Sequence, residues 1–350
     1  MQLSTNTQPV EPGDRDERLI QIPQGSHFNP ELARELLLLV QEAHHEFDRS
    51  QRDHDWDWDT DRSPITVRGK TYNIKLRFGF AEEFFQPREI LNTDVRDLGN
   101  AGRNRVPFGF IAHDDDSNNL YIVFRGTMTP AEWITNIQFK PGSDPFLNRK
   151  ELGKVHRGFY KIYSRADRGE NPFSHQDDKP AMKDAIEAAI NGNAAGGSTS
   201  AEAPTTCSQT SQVYVTGHSL GGALATLATL HIKELRYFNQ KPILYAFANP
   251  RAGGLEFFQQ FHDLECYRIA NSEDIVPTLP LASVEFTSAS EDTSSLSLKK
   301  TQLAHLSALL ADLDYHHIGE PIYFTLHKGS IADNHIIPIY KEALAIHDAE

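Results

Sequence analysis

The stretch "VYVTGHSLGGALATLATL", residues 213–230, decides the fold because it joins a strand to a helix through a serine between glycines. Its β-branched start predicts a strand over 213–216, and its alanines and leucines open a helix predicted over 220–236. The five residues at the junction match G-x-S-x-G in the strand–turn–helix context that this motif requires. Gly217 and Gly221 remove side chains that would collide with neighbouring elements at a sharply bent backbone. A glycine-flanked turn is the simpler alternative, but a structural serine gains nothing from this arrangement, so the pattern predicts a nucleophilic hydroxyl at Ser219.

A nucleophilic serine needs a base to take its proton and a carboxylate to hold that base. On folds with this serine turn, the chain order is serine, then Asp or Glu, then His. Asp274, in "CYRIANSEDIVPTLP" just past a predicted strand, is the predicted acid, with the adjacent Glu273 as the alternative. His335, in the loop "KGSIADNH" between the last strand and the last helix, is the predicted base. We therefore expect these side chains to meet at one rim of the sheet.

The other histidines after the acid are weaker candidates for the base: His305, His316, His317, His327 and His347. His317, in "YHHIGEPIYF", comes just before a strand and is predicted to lie on the opposite rim as a packed or hydrogen-bonded structural residue. His305 has helical spacing and is predicted to be an ordinary surface residue.

Acyl transfer at a serine also needs donors for the negative charge that develops on the carbonyl oxygen. The stretch "YIVFRGTMT" ends a predicted strand at Arg125 and Gly126 and then presents Thr127. The backbone N–H of Thr127, with its hydroxyl as a further donor, can form an oxyanion hole together with the N–H of Leu220. If Arg125, Gly126 and Thr127 stood alone in the sequence, a plain turn would be the preferred interpretation of these residues.

Strands and helices alternate through the second half of the chain, which predicts an α/β fold with a mainly parallel central sheet and helices on both faces. Residues 1–25 are polar and proline-bearing and are predicted to form a mobile arm, and residues 26–350 a single domain. Further predicted strands lie at 106–112, 120–124, 243–247, 266–270 and 321–327. Further predicted helices lie at 31–47, 158–167, 181–190, 254–261 and 339–347, with a helix-like stretch at 301–313.

The composition limits the classes of partner. A formal net charge of -14 over 350 residues argues against nucleic acid or an anionic membrane as an electrostatic partner. No run of about 18 apolar residues and no secretory leader is visible, and two cysteines form no disulfide framework, so a cytoplasmic location is expected. The acidic, histidine-bearing stretch 48–61 is predicted to be a solvated loop rather than a metal site. Neither a metal nor a cofactor is expected.

Seven stretches in order carry a resemblance over residues 120–340: "VFRGT", "VHRGFY", "VTGHSLGGALATL", "FANPRAGG", "RIANSEDIVPTLP", "HIGEPIYF" and "NHIIPIY". With them the chain resembles the class 3 (fungal-type) triacylglycerol lipases of the α/β-hydrolase fold. The resemblance implies a triad of Ser219, Asp274 and His335 and an oxyanion hole at Thr127 and Leu220. It also implies a lid over 129–139, with Trp133 as its apolar contact. A tryptophan packed in the core is the alternative interpretation of Trp133.

The resemblance further implies that the chain is a carboxylic ester hydrolase, a lipase acting on acylglycerol-type lipids through an acyl-enzyme. It would make transient contact with a lipid interface. Phospholipid or galactolipid acyl hydrolysis is the alternative within this class, and a lipase-like binding scaffold with decayed catalysis is the alternative outside it. The missing leader and disulfides depart from secreted relatives of this type.

Overall fold

The central feature of the computed structural model is a mixed eight-stranded sheet with the order β1-β2-β3-β4-β7-β8-β9-β10. The structure describes residues 19–81, 105–127, 143–167, 178–191, 210–280, 314–330 and 332–346. The first three neighbouring pairs are antiparallel, and every pair from β4 to β10 is parallel. The strands are β1 (Ile65–Val67), β2 (Lys70–Ala81), β3 (Arg105–Asp114), β4 (Asn119–Phe124), β7 (Gln212–His218), β8 (Ile243–Phe247), β9 (Cys266–Asn271) and β10 (Glu320–Phe324). A separate antiparallel pair consists of β5 (Ser143–Pro145) and β6 (Lys154–His156).

Helices cover both faces of this sheet. They are α1 (Pro30–Arg52), α2 (Arg157–Ser164), α3 (Met182–Ile190), α4 (Leu220–Leu235), α5 (Leu255–Gln259) and α6 (Ile337–Ala343). One apolar core joins the sheet to α2, α3, α4 and α5, as with Phe159, Ile186 and Leu224. A second core on the opposite face joins it to α1 and α6, as with Leu37 and Ile339. The predicted α/β fold, with a mainly parallel sheet between two helical layers, is confirmed.

Local signals account for several of these elements. Asn29 caps α1 by accepting hydrogen bonds from the N–H groups of Glu31 and Leu32 at 3.0 and 3.1 Å, and Pro30 stands in the first turn. This helix continues to Arg52, five residues beyond its predicted end. The last helix lies at Ile337–Ala343 rather than at 339–347, because Ala345 has a left-handed φ of 51° that a continuing helix cannot contain.

Strands β1 and β2 were not predicted, although an alternating pattern is present in β2. Tyr72 and Ile74 pack into the core on the α1 face, whereas Phe78 and Phe80 pack into the core on the other face. Register shifts between Ile74 and Leu76 and between Phe78 and Gly79 accompany this change. The bulge between Ile74 and Leu76 turns the later side chains to the other face, so an alternation that is unbroken in the sequence contributes to two cores.

Several predicted segments lie wholly or partly outside the described residues: the arm before residue 19, the lid at 129–139 with Trp133, and the helix-like stretch 301–313. The described end of the arm contacts the sheet, because Gln21 N–H donates to the carbonyl of Tyr323 in an antiparallel bridge on β10. Within the described ranges, none of the helices is both long enough and apolar enough to cross a membrane.

Candidate active site

Ser219 stands at the turn between β7 and α4, with a left-handed φ of 58° and a ψ of -125°. Non-glycine residues rarely adopt this conformation, so the surrounding structure must hold it. A Cβ added to Gly217 would lie 2.3 Å from the carbonyl oxygen of Gly221, and one added to Gly221 would lie 2.2 Å from that of Arg125. Both glycines are therefore required for the strand, the helix and the end of β4 to approach each other.

A continuous line of hydrogen bonds connects the three predicted side chains. The Ser219 hydroxyl donates to His335 Nε2 at 2.7 Å, and His335 Nδ1–H donates to Asp274 Oδ2 at 2.6 Å. All three residues are at most 2% exposed, although they lie more than 50 residues apart in the chain. The structure thus brings together the alcohol, imidazole and carboxylate that the sequence nominated.

Further hydrogen bonds hold the acid and the base in place. Asp274 accepts from Val276 N–H at 2.9 Å through Oδ1 and from the Tyr340 hydroxyl at 2.8 Å through Oδ2. Burial, together with the negative charge of Asp274, raises the pKa of Tyr340 well above its ordinary value, so the phenol remains a donor. His218 Nε2–H donates to the backbone carbonyl of His335 at 2.8 Å, and burial keeps the pKa of His218 well below its ordinary value.

The predicted oxyanion donors flank the serine. A Cβ added to Gly126 would lie 3.4 Å from Ser219 Cβ, so the loop that ends β4 lies directly against the serine. Thr127 follows it, and within the described residues its buried Oγ1 has no hydrogen-bond partner. Leu220 is the first residue of α4, where N–H groups lack an intrahelical acceptor and the helix dipole favours negative charge.

The alternative acid and bases lie elsewhere. Glu273 points away from the site, with its carboxylate 3.3 Å from His327 Nδ1. His316 contacts Asp314 at 2.8 Å. His317 is half-buried, and burial lowers its pKa to about 3, as suits a neutral packed residue. His305 lies outside the described residues.

Sequence reasoning missed Tyr340 and His218 as supports of the site. Tyr340 belongs to α6, and its position in "NHIIPIY" indicates only that it lies on the apolar face of a helix. His218 occupies the variable position of the serine motif, so no rule for the motif assigns it a role. Only the contacts in the folded chain reveal both.

The chemical capacity of this arrangement follows from its geometry. Because Nδ1–H is held by the carboxylate, Nε2 presents a lone pair to the serine hydroxyl and can accept its proton as the oxygen attacks. N–H groups beside the serine can stabilise an oxyanion. The sheet order, the serine turn and this line of three side chains together define an α/β-hydrolase.

Part of the chain is similar to the class 3 lipases. Residues 121–284 match the family described as Lipase (class 3). These residues include Thr127, Ser219, Leu220 and Asp274 but end before His335.

The curated relatives are lipases and phospholipases. A lipase from Rhizomucor miehei is 30% identical over 188 residues, which cover 52% of this chain and 43% of the relative. Phospholipase A1-II 4 from Oryza sativa subsp. japonica is 26% identical over 209 residues, which cover 51% of this chain and 49% of the relative. The matched region therefore spans less than half the length of either relative.

Among solved structures, the mono- and diacylglycerol lipase from Aspergillus oryzae is similar, with a TM-score of 0.48 and 19% identity. The alignment covers 89% of this chain and 85% of that one. The α/β-hydrolase fold of this chain follows from its own sheet order and serine turn.

Proposed function

We propose that this protein is a carboxylic ester hydrolase that acts on acylglycerol-type lipids through an acyl-enzyme. Ser219 is the nucleophile, His335 the general base and acid, and Asp274 the carboxylate that orients the imidazole. Thr127 and Leu220 supply the oxyanion hole. The observation that carries the proposal is the hydrogen-bond line from Asp274 through His335 to a serine at a strand–helix turn.

The proposed reaction has two balanced stages. The Ser219 oxygen attacks the ester carbonyl while its proton moves to His335 Nε2, and the oxyanion is held by backbone N–H groups. The tetrahedral adduct collapses, the bond to the glycerol oxygen breaks, and His335 donates its proton to the departing alcohol. Water then attacks the acyl-enzyme with His335 again taking a proton, and the free fatty acid leaves as the serine regains its hydrogen.

The choice of a lipid ester as substrate is supported by the match of residues 121–284 to the class 3 lipases and by the likeness to the Rhizomucor miehei lipase. Transient contact with a lipid interface is part of the same proposal. With a net charge of -14, such contact must be apolar rather than electrostatic.

Phospholipid acyl hydrolysis is the second candidate function. The similarity to a rice phospholipase A1, which covers as much of this chain as the Rhizomucor match, favours it. A binding scaffold with decayed catalysis is less consistent with the chain, because the nucleophile, base, acid and both oxyanion positions retain suitable residues.

The proposed function is tested with a panel of a triacylglycerol emulsion, phosphatidylcholine vesicles and a soluble p-nitrophenyl ester. We expect Ser219→Ala and His335→Ala each to lower kcat by about 10⁴- to 10⁶-fold, because the triad acts as a unit. For the same reason, the double variant should lose little more than either single variant.

The outcomes separate the candidates. Faster hydrolysis of the triacylglycerol emulsion than of the phosphatidylcholine vesicles supports the acylglycerol proposal. Faster hydrolysis of the vesicles supports phospholipid acyl hydrolysis. No turnover of any ester, with no labelling of Ser219 by an organophosphonate, would support the scaffold. Near-normal kcat in His335→Ala would refute the assignment of the base.

A further inference from the structure

The loop that presents Thr127 is held by a residue from the far N-terminal side of the chain. His44 Nε2 accepts a hydrogen bond from the backbone N–H of Gly126 at 3.0 Å. His44 lies on α1, 82 residues earlier in the chain and outside the region 121–284 that matches the lipase family. The His44 ring also lies edge-on to His218, with centroids 6.3 Å apart.

The other side of Gly126 is held as well. Arg125 Nη1 donates to the carbonyl of Gly126 at 2.7 Å, while Arg125 Nε donates to the carbonyl of Pro107 at 2.8 Å. A trans peptide is planar, with its C=O and N–H pointing in opposite directions. The bond to the Gly126 carbonyl therefore sets the direction of the Thr127 N–H, because both belong to one peptide plane.

Two peptide planes meet at Gly126, and each is held by one side chain. His44 holds the plane that ends in the Gly126 N–H, and Arg125 holds the plane that begins with the Gly126 carbonyl. Glycine restricts its own backbone less than any other residue, so these two contacts must supply the restriction. Loss of either contact would leave the direction of the Thr127 N–H, which the proposed oxyanion hole requires, less well fixed.

The imidazole of His44 is suited to accept this hydrogen bond. An acceptor at Nε2 must be unprotonated, so the proton of the neutral ring lies on Nδ1. Burial, with the charge of Arg125 as the second cause, lowers the pKa of His44 to about 3. The ring therefore stays neutral, and an acceptor, through the ordinary working range of pH.

We propose that His44 is a positioning residue for the oxyanion hole, and that helix α1 is thereby part of the catalytic apparatus. This inference rests on the proposed function, because the Thr127 N–H matters only if an oxyanion forms at Ser219. His44 touches neither the substrate nor the reacting atoms and acts through Gly126.

The test compares His44→Leu, which removes the acceptor, with His44→Gln, whose side-chain oxygen can replace Nε2. His45→Leu is the control on the same helix, since His45 is about half exposed and its side-chain hydrogen bonds within the described residues go to Glu42 and Gln41. Displacing a donor by about 1 Å costs up to about 100-fold in rate. We expect His44→Leu to lower kcat for a p-nitrophenyl ester by about 10- to 100-fold with KM unchanged. The kcat of His44→Gln should recover most of this loss, and the kcat of His45→Leu should match that of the wild type.

A second measurement needs no turnover. Amide hydrogen exchange of the peptide that contains Gly126 and Thr127 should accelerate in His44→Leu and remain as in the wild type in His44→Gln. If the wild type hydrolyses no ester but this pattern appears, the loop is positioned as inferred and only the proposed function fails. Equal kcat in the Leu and Gln variants, a rise in KM alone, or unchanged exchange in His44→Leu would overturn the role of His44.

Discussion

Replacing Gly217 by Ala should separate the serine from its partners without touching any of them. The added Cβ would meet the backbone of the first turn of α4, at 2.3 Å from the Gly221 oxygen, 2.4 Å from its carbonyl carbon and 2.9 Å from the Gly222 nitrogen. Ordinary contacts begin near 3.4 Å, so strand and helix must separate by 3.4 − 2.3, or 1.1 Å. None of these atoms belongs to a flexible side chain that could move aside.

The magnitude follows from that displacement. Because Ser219 lies between Gly217 and the first turn of α4, a shift of about 1 Å changes its 2.7 Å hydrogen bond to His335 and moves the N–H of Leu220. A misplacement of this size costs about 100-fold in rate, or about 3 kcal/mol of barrier. Crowding in a packed core also costs about 1–3 kcal/mol of the free energy of unfolding.

The assay pairs kcat on a soluble p-nitrophenyl ester with urea unfolding, using Gly254→Ala as the matched control. A Cβ at Gly254 would lie 3.2 Å from the Asp314 oxygen and 3.9 Å from that of Lys154, so the neighbours need to move only slightly. We expect kcat to fall about 100-fold in Gly217→Ala and to stay within about twofold in Gly254→Ala. Wild-type kcat and wild-type stability together in Gly217→Ala would refute the steric reasoning.

Two more predictions concern the supports of the site and the buried histidines. Tyr340→Phe removes a hydroxyl that donates to Asp274 and accepts from Asn271 N–H at 3.3 Å. We expect the free energy of unfolding to fall by about 1–3 kcal/mol and kcat to fall about tenfold. Urea unfolding and kinetics that both match the wild type would contradict this prediction. Burial lowers the pKa of His156 and of His231 to about 4 from 6.5, so their contribution to stability is fully present above pH 6.5 and is lost as the pH falls toward 4. Each of these two histidines should lower the free energy of unfolding by about 2 kcal/mol between pH 7 and pH 5, which urea unfolding at both pH values measures. His231→Gln should make that pH-dependent loss smaller by about 2 kcal/mol.

The antiparallel side of the sheet illustrates a limit of sequence reasoning. Hairpin β3–β4 was predicted because its strands and acidic turn are contiguous. Strand β2 was missed although its apolar residues alternate without a break from Tyr72 to Phe80. What the sequence does not show is the bulge that divides these residues between the two faces, because the partner that fixes the register of β2 lies beyond residue 104. A periodic pattern therefore indicates a strand, but it does not show which core each side chain enters.

The candidate site divides in a similar way. The order serine, acid, histidine along the chain was enough to nominate Asp274 and His335, because parallel strands end at one rim and their loops converge there. Sequence reasoning missed the residues that hold this site, because their contacts join positions 66 to 117 residues apart: Tyr340 to Asp274, His44 to Gly126, and His218 to His335.

By itself, the sequence determined the turn at Ser219 and was enough to predict a nucleophile there. Steric rules act within a few residues, and only glycines permit the close approach of β7 and α4 around Ser219. Tertiary structure alone decided how the imidazole, the carboxylate and the oxyanion loop are held in place. Those supports are hydrogen bonds of 2.8 to 3.0 Å between distant segments, and such a bond exists only after packing has brought its donor and acceptor together.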